Sequence, residues 1–437
     1  MPISTFMGLQ TSLRGLLAEQ RALDVTSHNI ANANTVGYTR QEAQMQATDA
    51  LVVPAAGLLG TGVDVVAYKR IRDTFLDLQY RAQNMQVGYG TTRTDALDQA
   101  EMQLSEPSDN GIGERLNQFW SSWSDLANAP ENGAAKGALI ENARTLASAI
   151  NALDAGFKTV TTQATQELSV LTSSGGELEG MTRELASLNG AIKNSQNVGA
   201  QPNDLLDRRD LLLDRLSTLA QVSVADNGAG SIKVTLGGAA APLVDGTTVT
   251  WPAPAMLTPN GKIGALMDAA SSTGTVASYR TDLATFAAAL KTQVNAIYNP
   301  TAASGADFFA YNAATATLSV TPTTATVTAG AGASGGNSAA LALAELRGKP
   351  GSPDDLYARL VTRIGTQVAD ARRTTITATA LSSSIEDRRQ STAGVSLDEE
   401  MTSLIRFQRG YQAAARAMTS TDTLLDTLIN RTGRVGL

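Results

Sequence analysis

Residues 394–430 have the sequence GVSLDEEMTSLIRFQRGYQAAARAMTSTDTLLDTLIN, in which apolar residues recur every seven positions. The first stripe consists of Leu397, Leu404, Tyr411, Met418 and Leu425. The second stripe consists of Met401, Ala415 and Ile429, interrupted by the polar residues Gln408 and Asp422. This spacing predicts an amphipathic helix suited to coiled-coil packing. Ser396 and Glu399 predict a capping box at its start, and Gly433 predicts a stop.

The N-terminus carries the same pattern. Seven-residue spacing links Leu9, Leu16, Leu23 and Ile30, and the interleaved positions are Phe6, Leu13 and the polar residues Gln20 and Ser27. We predict a second amphipathic helix that ends near Asn29–Asn34, where asparagine is frequent, with Gly37 as a turn residue.

Further helices are predicted between the two ends. One heptad series runs through Leu139, Leu146, Leu153 and Val160, and another through Leu171, Leu178, Leu185 and Ile192, with Gly175-Gly176 as a kink or break. Additional helices are predicted for 204–220 after Pro202, for 283–297 before Pro300, and from Ser352-Pro353 onward. Residues 221–260 and 301–345 instead alternate and turn, which is typical of small antiparallel sheets.

These patterns predict a mainly α fold with β-rich insertions. The fold combines paired, coiled-coil-like terminal helices, a bundle of long helices, and one or more small β domains inserted mid-chain. The predicted domains are a terminal polymerisation domain (1–45 with 390–437), a helical bundle (46–220 with 261–300 and 346–389), and β-rich outer parts (221–260 and 301–345). Pairing of the two ends predicts an elongated molecule whose termini share one end.

Composition restricts the function. The 437 residues carry a formal net charge of -7, which argues against broad nucleic-acid binding because that requires a basic face. No stretch approaches the 18 to 20 apolar residues of a membrane span. The chain has no cysteine and a single histidine, His28, so Cys-ligated and His-based zinc sites are excluded, and we predict no metal and no cofactor. Residues 1–20 do not resemble a cleaved signal peptide.

Three features that could suggest chemistry have simpler interpretations. His28 lacks a partner for metal binding or base catalysis and is interpreted as a polar residue at a helix end. Gly57–Gly62 (GLLGTG) lacks the Lys-Ser/Thr that a phosphate loop requires, and we predict a hairpin turn followed by a strand at Val63. The acidic series Asp204, Asp207, Asp210 and Asp214 alternates with arginines, and we predict a solvated, salt-bridged face with an i,i+4 pair between Asp204 and Arg208.

The terminal stripes are predicted to bind other chains. A leucine stripe usually faces an internal core, and we accept that interpretation for 139–192. A terminal helix has fewer internal surfaces to meet and is marginal by itself, so neighbouring copies are predicted to cover it. The predicted assembly interface consists of Phe6, Leu9, Leu13, Leu16, Leu23, Ile30, Leu397, Met401, Leu404, Tyr411, Met418, Leu425 and Ile429.

Two segments resemble a known family. SHNIANANTVGY, residues 27–38, and the run 394–430 resemble the N- and C-terminal signatures of the bacterial flagellar rod, hook and hook-associated axial proteins. The segment 202–224 (PNDLLDRRDLLLDRLSTLAQVSV), the preceding helix 139–192, and IYNP followed by ADFF within 297–309 resemble the hook-associated members found at the hook–filament junction.

The resemblance implies a structural subunit without enzymatic activity. It implies self-association in a ring between hook and filament, with the hook protein and a second hook–filament junction protein as neighbours. It also implies an extracellular location, export through the flagellar type III apparatus without signal cleavage, and an export chaperone on the C-terminal helix face of Leu397, Leu404, Tyr411, Met418 and Leu425. Two alternatives stay open: a hook or distal rod subunit, and an adhesin, antigen or enzyme carried on flagellar ends.

Overall fold

The computed structural model describes residues 6–53, 57–330 and 335–431, and these ranges form a mainly helical protein with small sheets. The α-helices are α1 (Met7–Asn32), α2 (Thr74–Leu104), α3 (Ile112–Asn128), α4 (Gly133–Thr172), α5 (Glu177–Asn197), α6 (Asn203–Leu219), α7 (Gly261–Ala270), α8 (Thr275–Tyr298), α9 (Ser338–Ala344), α10 (Pro353–Ala393) and α11 (Leu397–Asp426), which continues into a π-helical turn, Thr427–Arg431. The strands are β1 (Gln41–Ala47), β2 (Leu51–Val53), β3 (Gly57–Leu59), β4 (Val63–Arg70), β5 (Val222–Asp226), β6 (Ile232–Leu236), β7 (Val244–Asp245), β8 (Thr248–Val249), β9 (Phe309–Asn312) and β10 (Thr317–Val320). The predicted fold class is confirmed.

The two ends of the chain form one antiparallel helix pair, which we call the terminal hairpin (α1 and α11). Asn29, near the end of α1, bonds Glu400 at the start of α11, and Gly8 at the other end lies beside Thr421. Helix α1 ends where the asparagines predicted it, and Gly37 turns the chain with a φ of +82° that favours glycine. The two-stranded β1–β4 sheet packs along α1. The sequence patterns indicated the strand that begins at Val63 but not its partner β1.

The start of α11 differs from its prediction. Ser396 occupies the N-cap position, but its side chain makes no capping hydrogen bond. Glu399 does not reach back to the cap because its carboxylate accepts a 2.8 Å hydrogen bond from Arg40 instead. The capping-box prediction is therefore wrong, since the charge of a neighbouring element outcompetes the local bond. The predicted stop, Gly433, lies outside the described residues.

The middle of the chain is organised around two long antiparallel helices, α2 and α10. They approach closely at Gly90, where a Cβ atom would lie only 2.7 Å from the Thr375 hydroxyl oxygen. The Thr94 and Thr375 hydroxyls are 3.0 Å apart in the same crossing. Helix α10 begins at Pro353, as predicted, with the Ser352 side chain capping it.

A first apolar core lies between α3, α4, α8 and α10. Its centre is aromatic and contains Phe119, Trp120, Trp123, Phe308 and Phe309. The β9–β10 hairpin covers this core, and Asn151 of α4 bonds both the N–H and the C=O of Leu318. The interval 301–345 also contains α9, which its Thr- and Gly-rich composition did not predict.

A second apolar core lies between α5, α6, α7 and the sheet β5-β6-β7-β8. The break between α4 and α5 falls at Ser173–Gly176, which confirms the glycine prediction. Asn189 of α5 donates hydrogen bonds to the carbonyl oxygens of Ile232 and Gly246, which fixes the sheet on the helices. The two β-rich intervals therefore pack into different cores, and the division into three domains stays a prediction.

The glycine-rich stretch 57–62 belongs to strands and turns. Gly57–Leu59 pairs with Leu51–Val53 as a short hairpin, and Val63 opens β4. The residue order after this stretch is therefore that of a strand, as predicted, and not of a phosphate-binding helix.

Candidate assembly interface and the ion-pair network behind it

Small residues occupy the most deeply buried apolar positions of the seam in the terminal hairpin. Ala18 and Ala22 of α1 are each 2% exposed. A Cβ atom at Gly15 would lie 3.8 Å from the Ala414 Cβ, so the two backbones approach closely. Small side chains bury little apolar area, and each square ångström of buried apolar surface contributes only about 25 cal/mol to the stability. The hairpin is therefore held by close packing together with polar contacts at one end.

Asn29 is the centre of those polar contacts. Its amide nitrogen donates to the Gln41 carbonyl oxygen at 2.8 Å and to the Glu400 carboxylate at 3.1 Å. Its amide oxygen accepts from the Gln41 N–H at 3.0 Å and from the Tyr38 hydroxyl at 2.7 Å. The buried side chain thus uses its full hydrogen-bonding capacity to join α1, the following loop, β1 and α11.

Arg40 reinforces the same joint. Its guanidinium contacts Glu399 at 2.8 Å and Glu400 at 2.8 Å, and Glu400 is 2% exposed. A carboxylate this deeply buried requires a partner charge and hydrogen bonds, and Arg40 and Asn29 supply both. The segments 27–41 and 396–400 therefore fix where α11 begins relative to α1.

Glu19 introduces a second carboxylate into the seam. It faces Gly410, where a Cβ atom would lie 2.6 Å from the Glu19 carboxyl carbon, so a larger residue at this position would displace the Glu19 carboxylate. Its Oε2 atom is buried and makes no hydrogen bond. Burial raises the pKa of Glu19, and the charge of Arg406 opposes that shift.

The predicted interface residues occupy three environments on the hairpin. Leu425 is buried, and seven others are half-buried along the seam: Leu9, Leu16, Leu23, Ile30, Leu404, Tyr411 and Met418. Five are exposed on the outer surface: Phe6, Leu13, Leu397, Met401 and Ile429. The heptad pattern therefore mixes residues of the internal seam with residues of the outer surface. Their role in assembly stays a prediction.

Heptad spacing alone missed part of the outer surface. Leu17, Ile405 and Leu424 are also exposed, at 43%, 48% and 63%. Each lies three or four residues from another exposed apolar residue of its helix, so an i,i+4 search would have found them.

An ion-pair network links the base of the hairpin to the middle of the chain. Asp204 is exposed, as predicted, but Asp207 and Asp214 are only 5% and 6% exposed, so the acidic residues of α6 do not form one solvated face. Their partners come from other elements rather than from the interleaved arginines. The network comprises Arg70, Arg72, Arg81 and Arg389 with Asp77, Asp207, Asp210 and Asp214.

The predicted Asp204–Arg208 pair is wrong. Arg208 contacts Glu184 of α5 at 2.6 Å, and Asp204 accepts a 2.9 Å hydrogen bond from the Gln41 side chain. Tertiary packing brings α5 and β1 beside α6, so each side chain finds a partner outside its own helix. Local spacing cannot predict such partners.

Asp210 is the most connected acid of the network. Arg70, Arg72 and Arg81 contact its carboxylate at 2.9, 2.8 and 3.3 Å. Burial raises the pKa of Asp210, but the three guanidinium groups outweigh burial and hold that pKa below its usual value. For Asp207, burial raises the pKa, and hydrogen bonds from Arg70 and Thr39 oppose that shift.

Two grooves flank the loop that follows α1. One has a volume of about 730 Å³ and lies between this loop, α2, α6 and the end of α10. Four of the charged residues that line it, Arg72, Asp77, Asp214 and Arg389, bind one another. The other, of about 570 Å³, includes His28.

His28 itself contacts the hydroxyl of Tyr38. Its Nδ1 atom lies 3.0 Å from the Tyr38 oxygen, which places it as a polar residue of the last turns of α1. Burial, assisted by Asp204, Asp207 and Glu400, raises the pKa of Tyr38. Both residues therefore serve the polar joint at the base of the hairpin.

None of the helices in the described ranges combines the length and the apolar character needed to cross a membrane.

Three family models match this chain, and they match its two ends and its middle separately. Residues 9–39 match the model of flagella basal body rod proteins, and residues 388–431 match the C-terminal model of the flagellar basal body rod FlgEFG proteins. Both matches fall on the terminal hairpin and its polar joint. Residues 97–253 match the helical domain of the flagellar hook-associated protein FlgK. The fold and these matches define a bacterial flagellar axial protein.

Whole-chain similarity specifies the family. The chain is 31% identical to flagellar hook-associated protein 1 of Bacillus subtilis over 98% of its own length and 99% of that relative. It is 33% identical to flagellar hook-associated protein 1 of Salmonella typhimurium over 52% of this chain and 40% of that protein. The chain belongs to the flagellar hook-associated protein 1 family, which consists of structural proteins of the hook–filament junction.

A solved structure of the flagellar hook junction protein FlgK from Burkholderia pseudomallei is also similar. It matches 54% of this chain and 47% of its own chain, with 23% identity and a TM-score of 0.47.

Proposed function

We propose that this chain forms a ring between the flagellar hook and filament, and that copies join through their terminal hairpins. One observation carries the proposal: both chain ends meet in a single helix pair whose outer surface displays apolar side chains. Leu13 and Leu17 are 40% and 43% exposed on α1, and Leu397 and Met401 are 51% and 50% exposed on α11. Apolar residues grouped in this way on an exposed surface mark an interaction site.

The energetics favour contact with several neighbours at once. Each such side chain contributes about 1.5–3 kcal/mol when it is fully buried. Ordering the backbone costs about 1–2 kcal/mol per residue, so one contact cannot order a frayed helix end. Neighbours on several sides bury enough area together, and the ring then forms only on an existing template.

The proposed template and cap are other axial proteins. The hook protein lies on one side of the ring, and a second hook–filament junction protein lies on the other. Membership of the family supports this order, as does the match of both chain ends to models of rod proteins. Shared end segments favour a shared mode of packing along one axis.

The C-terminal helix is proposed to bind an export chaperone before assembly. Leu425 is the one buried apolar residue among the described residues of α11, so this helix separates from the rest of the molecule at low cost. The chaperone would cover the stripe of Leu397, Leu404, Tyr411, Met418 and Leu425. Export is proposed to use the flagellar type III apparatus without signal cleavage, and the mature subunit then lies outside the cell.

The role is proposed to be structural rather than catalytic. Arg72, Asp77, Asp214 and Arg389 in the larger groove bind one another as ion pairs, and the polar joint uses the hydrogen-bonding groups of Asn29 fully. Their chemistry is thus accounted for by holding the hairpin on the molecule.

Two charge substitutions test the proposal. Leu13→Glu changes the exposed surface, and Leu404→Glu changes a half-buried position of α11. We expect both to reduce the number of filaments at least tenfold and to release flagellin into the medium, because neighbours cannot bury a carboxylate without a partner. The measurements are electron microscopy of cells that carry the variant as their single copy and assay of secreted flagellin.

Gln20→Glu is the matched control. It adds the same charge at an exposed, non-apolar position of α1 and should leave filaments unchanged. Normal filaments in both leucine variants would refute assembly through the hairpin surface. Loss of the hook as well as the filament would assign the chain to the hook or rod.

A further inference from the structure

The β2–β3 hairpin displays apolar side chains on both of its faces. Register pairs Val52 with Leu58 on one face, and these residues are 72% and 73% exposed. Leu51 and Leu59 pair on the other face and are 50% and 42% exposed. Neither apolar core includes a described residue of this hairpin.

Such a hairpin is unstable by itself. A two-stranded sheet is marginal in water, and its free edges offer unpaired backbone groups to another chain. The described residues of this hairpin are uncharged, so no charge protects its faces or edges against pairing. These features are typical of a segment that becomes buried on assembly.

The base of the hairpin is anchored on α1. The Thr48 and Thr61 hydroxyls are 2.6 Å apart, and the Thr48 N–H donates to the Gly62 carbonyl at 3.0 Å. Thr11 and Arg14 of α1 donate to the Thr61 carbonyl at 3.5 and 3.4 Å. The base of the hairpin therefore lies against the turn of α1 that contains Leu13.

We propose that this hairpin docks on a second copy of the chain, against the stripe formed by Leu397, Met401 and Ile405. These three residues are spaced i, i+4 and i+8 on one face of α11 and are 51%, 50% and 48% exposed. The stripe is about 12 Å long at 1.5 Å per residue, and a three-residue strand spans about 10 Å. The two apolar surfaces thus match in length and in character.

The contact joins different molecules because it cannot close within one. The hairpin base lies beside Thr11 and Arg14, whereas the stripe begins beside Asn29, which contacts Glu400. Roughly fifteen residues of α1 separate these points, or about 22 Å. Two different patches that fit each other make a head-to-tail contact, and such contacts generate rings when the rotation closes.

This inference rests on the proposed ring and names the contact that joins its subunits. The test uses the absence of cysteine from the chain, since two introduced thiols are then the only ones present. Val52→Cys and Met401→Cys are combined in the full chain, which is expressed as the single copy in flagellated cells. The proteins of isolated flagella are cross-linked by oxidation and, in a parallel sample, by a short bismaleimide. They are then separated by size under non-reducing conditions.

We expect the double variant to give a ladder of covalent oligomers, and a mixture of the two single variants to stop at dimers. The matched control combines Val198→Cys with Met401→Cys, because Val198 is 81% exposed but lies after α5, and it should stay monomeric. Val52→Glu should also lower the amount of this chain in isolated flagella at least tenfold, whereas Val198→Glu should not.

Three results would overturn the inference. If the double variant matches the control while Leu404→Glu still blocks filament growth, the hairpin contact is wrong and assembly through the terminal helices stands. Cross-linking of Val52→Cys to the hook protein would assign the hairpin to a different partner. Normal filaments in both Leu13→Glu and Leu404→Glu would refute the proposed ring, and the proposed contact within it would then also be refuted.

Discussion

Single buried polar residues decide how the ends of this chain are attached. Asn29 joins four segments with one amide, and Arg40 neutralises Glu400 where α11 begins. Asp210 has a similar role in the middle of the chain, where its carboxylate contacts three guanidinium groups. Such residues position elements more than they stabilise the fold, because the free-energy cost of burying two charges is nearly as large as the free energy gained when they pair.

Removal of Asp210 should strongly destabilise the fold, because its buried partners would lose a compensating charge. We expect Asp210→Ala to lower the free energy of unfolding by about 3–5 kcal/mol, because it leaves Arg70, Arg72 and Arg81 buried without this partner. Urea unfolding followed by circular dichroism measures the change. Asp370→Ala is the control, since Asp370 and Arg373 pair at the surface with side chains 65% and 76% exposed. It should cost less than about 1 kcal/mol.

The pH dependence of this effect has a definite sign. The folded-state pKa of Asp210 lies below its value in the unfolded chain, so its contribution is present above that unfolded value, about 3.9. The contribution is lost as pH falls through the folded-state pKa. The difference between wild type and Asp210→Ala should therefore shrink in acid, and a constant difference from pH 7 to pH 2 would contradict the ion-pair explanation.

At the scale of elements, helices of this protein pair through small residues where two backbones cross. Gly90 admits α10 beside α2, and Gly88 admits α6 on another side of the same helix. A Cβ atom at Gly88 would lie 2.1 Å from the Thr218 carbonyl oxygen, which belongs to rigid backbone. Helix α2 can therefore contact both partners only because these two positions lack side chains.

Gly88→Ala should separate α2 from α6. We expect it to lower the free energy of unfolding by about 1–3 kcal/mol, since the added methyl group overlaps backbone that cannot rotate away. Gly180→Ala provides the opposite control, because no atom lies within 4 Å of the added Cβ in α5. It should raise the free energy of unfolding by about 0.5–1 kcal/mol. Equal effects of the two substitutions would show that helix propensity, and not the crossing, decides the outcome.

At the scale of the whole molecule, stability is unevenly distributed. Two apolar cores hold the middle of the chain, and neither includes a described residue of α1 or α11. The terminal hairpin depends instead on its own seam, whose most deeply buried apolar positions are mainly small residues, and on the polar joint at its base. We therefore expect the part of the molecule that is proposed to assemble to open more easily than the middle.

Hydrogen exchange should reveal this difference directly. We expect the amides of α1 and α11 to exchange at least about tenfold faster than those of α4 in the free protein, because α4 contributes to both apolar cores and the hairpin contributes to neither. Mass spectrometry of exchange-labelled peptides measures it. Isolated flagella serve as the comparison, since neighbours should slow exchange in both terminal helices. Equal protection of α4 and the hairpin in the free protein would contradict an independently opening hairpin.

The sequence by itself determined most of the long helices, the break at Gly175-Gly176 and the family, whereas no pattern predicted α2, α3, α7 or α9 individually. Heptad spacing, Gly175-Gly176 and Ser352-Pro353 act through the local backbone, so their effects survive in any tertiary context. The segments 27–38 and 394–430 identified the flagellar class because the same local features build the same hairpin.

Only the tertiary structure decided which side chains meet. In the folded chain, Asp210 binds three arginines that come from other elements. Glu399 binds Arg40 instead of capping its own helix, and β1 pairs with β4 along α1. The tertiary structure also separated the heptad stripe into an internal seam and an outer surface, since heptad spacing does not reveal which side of a helix its partner covers. Such pairings depend on distances between residues far apart in the chain, and no local pattern carries that information.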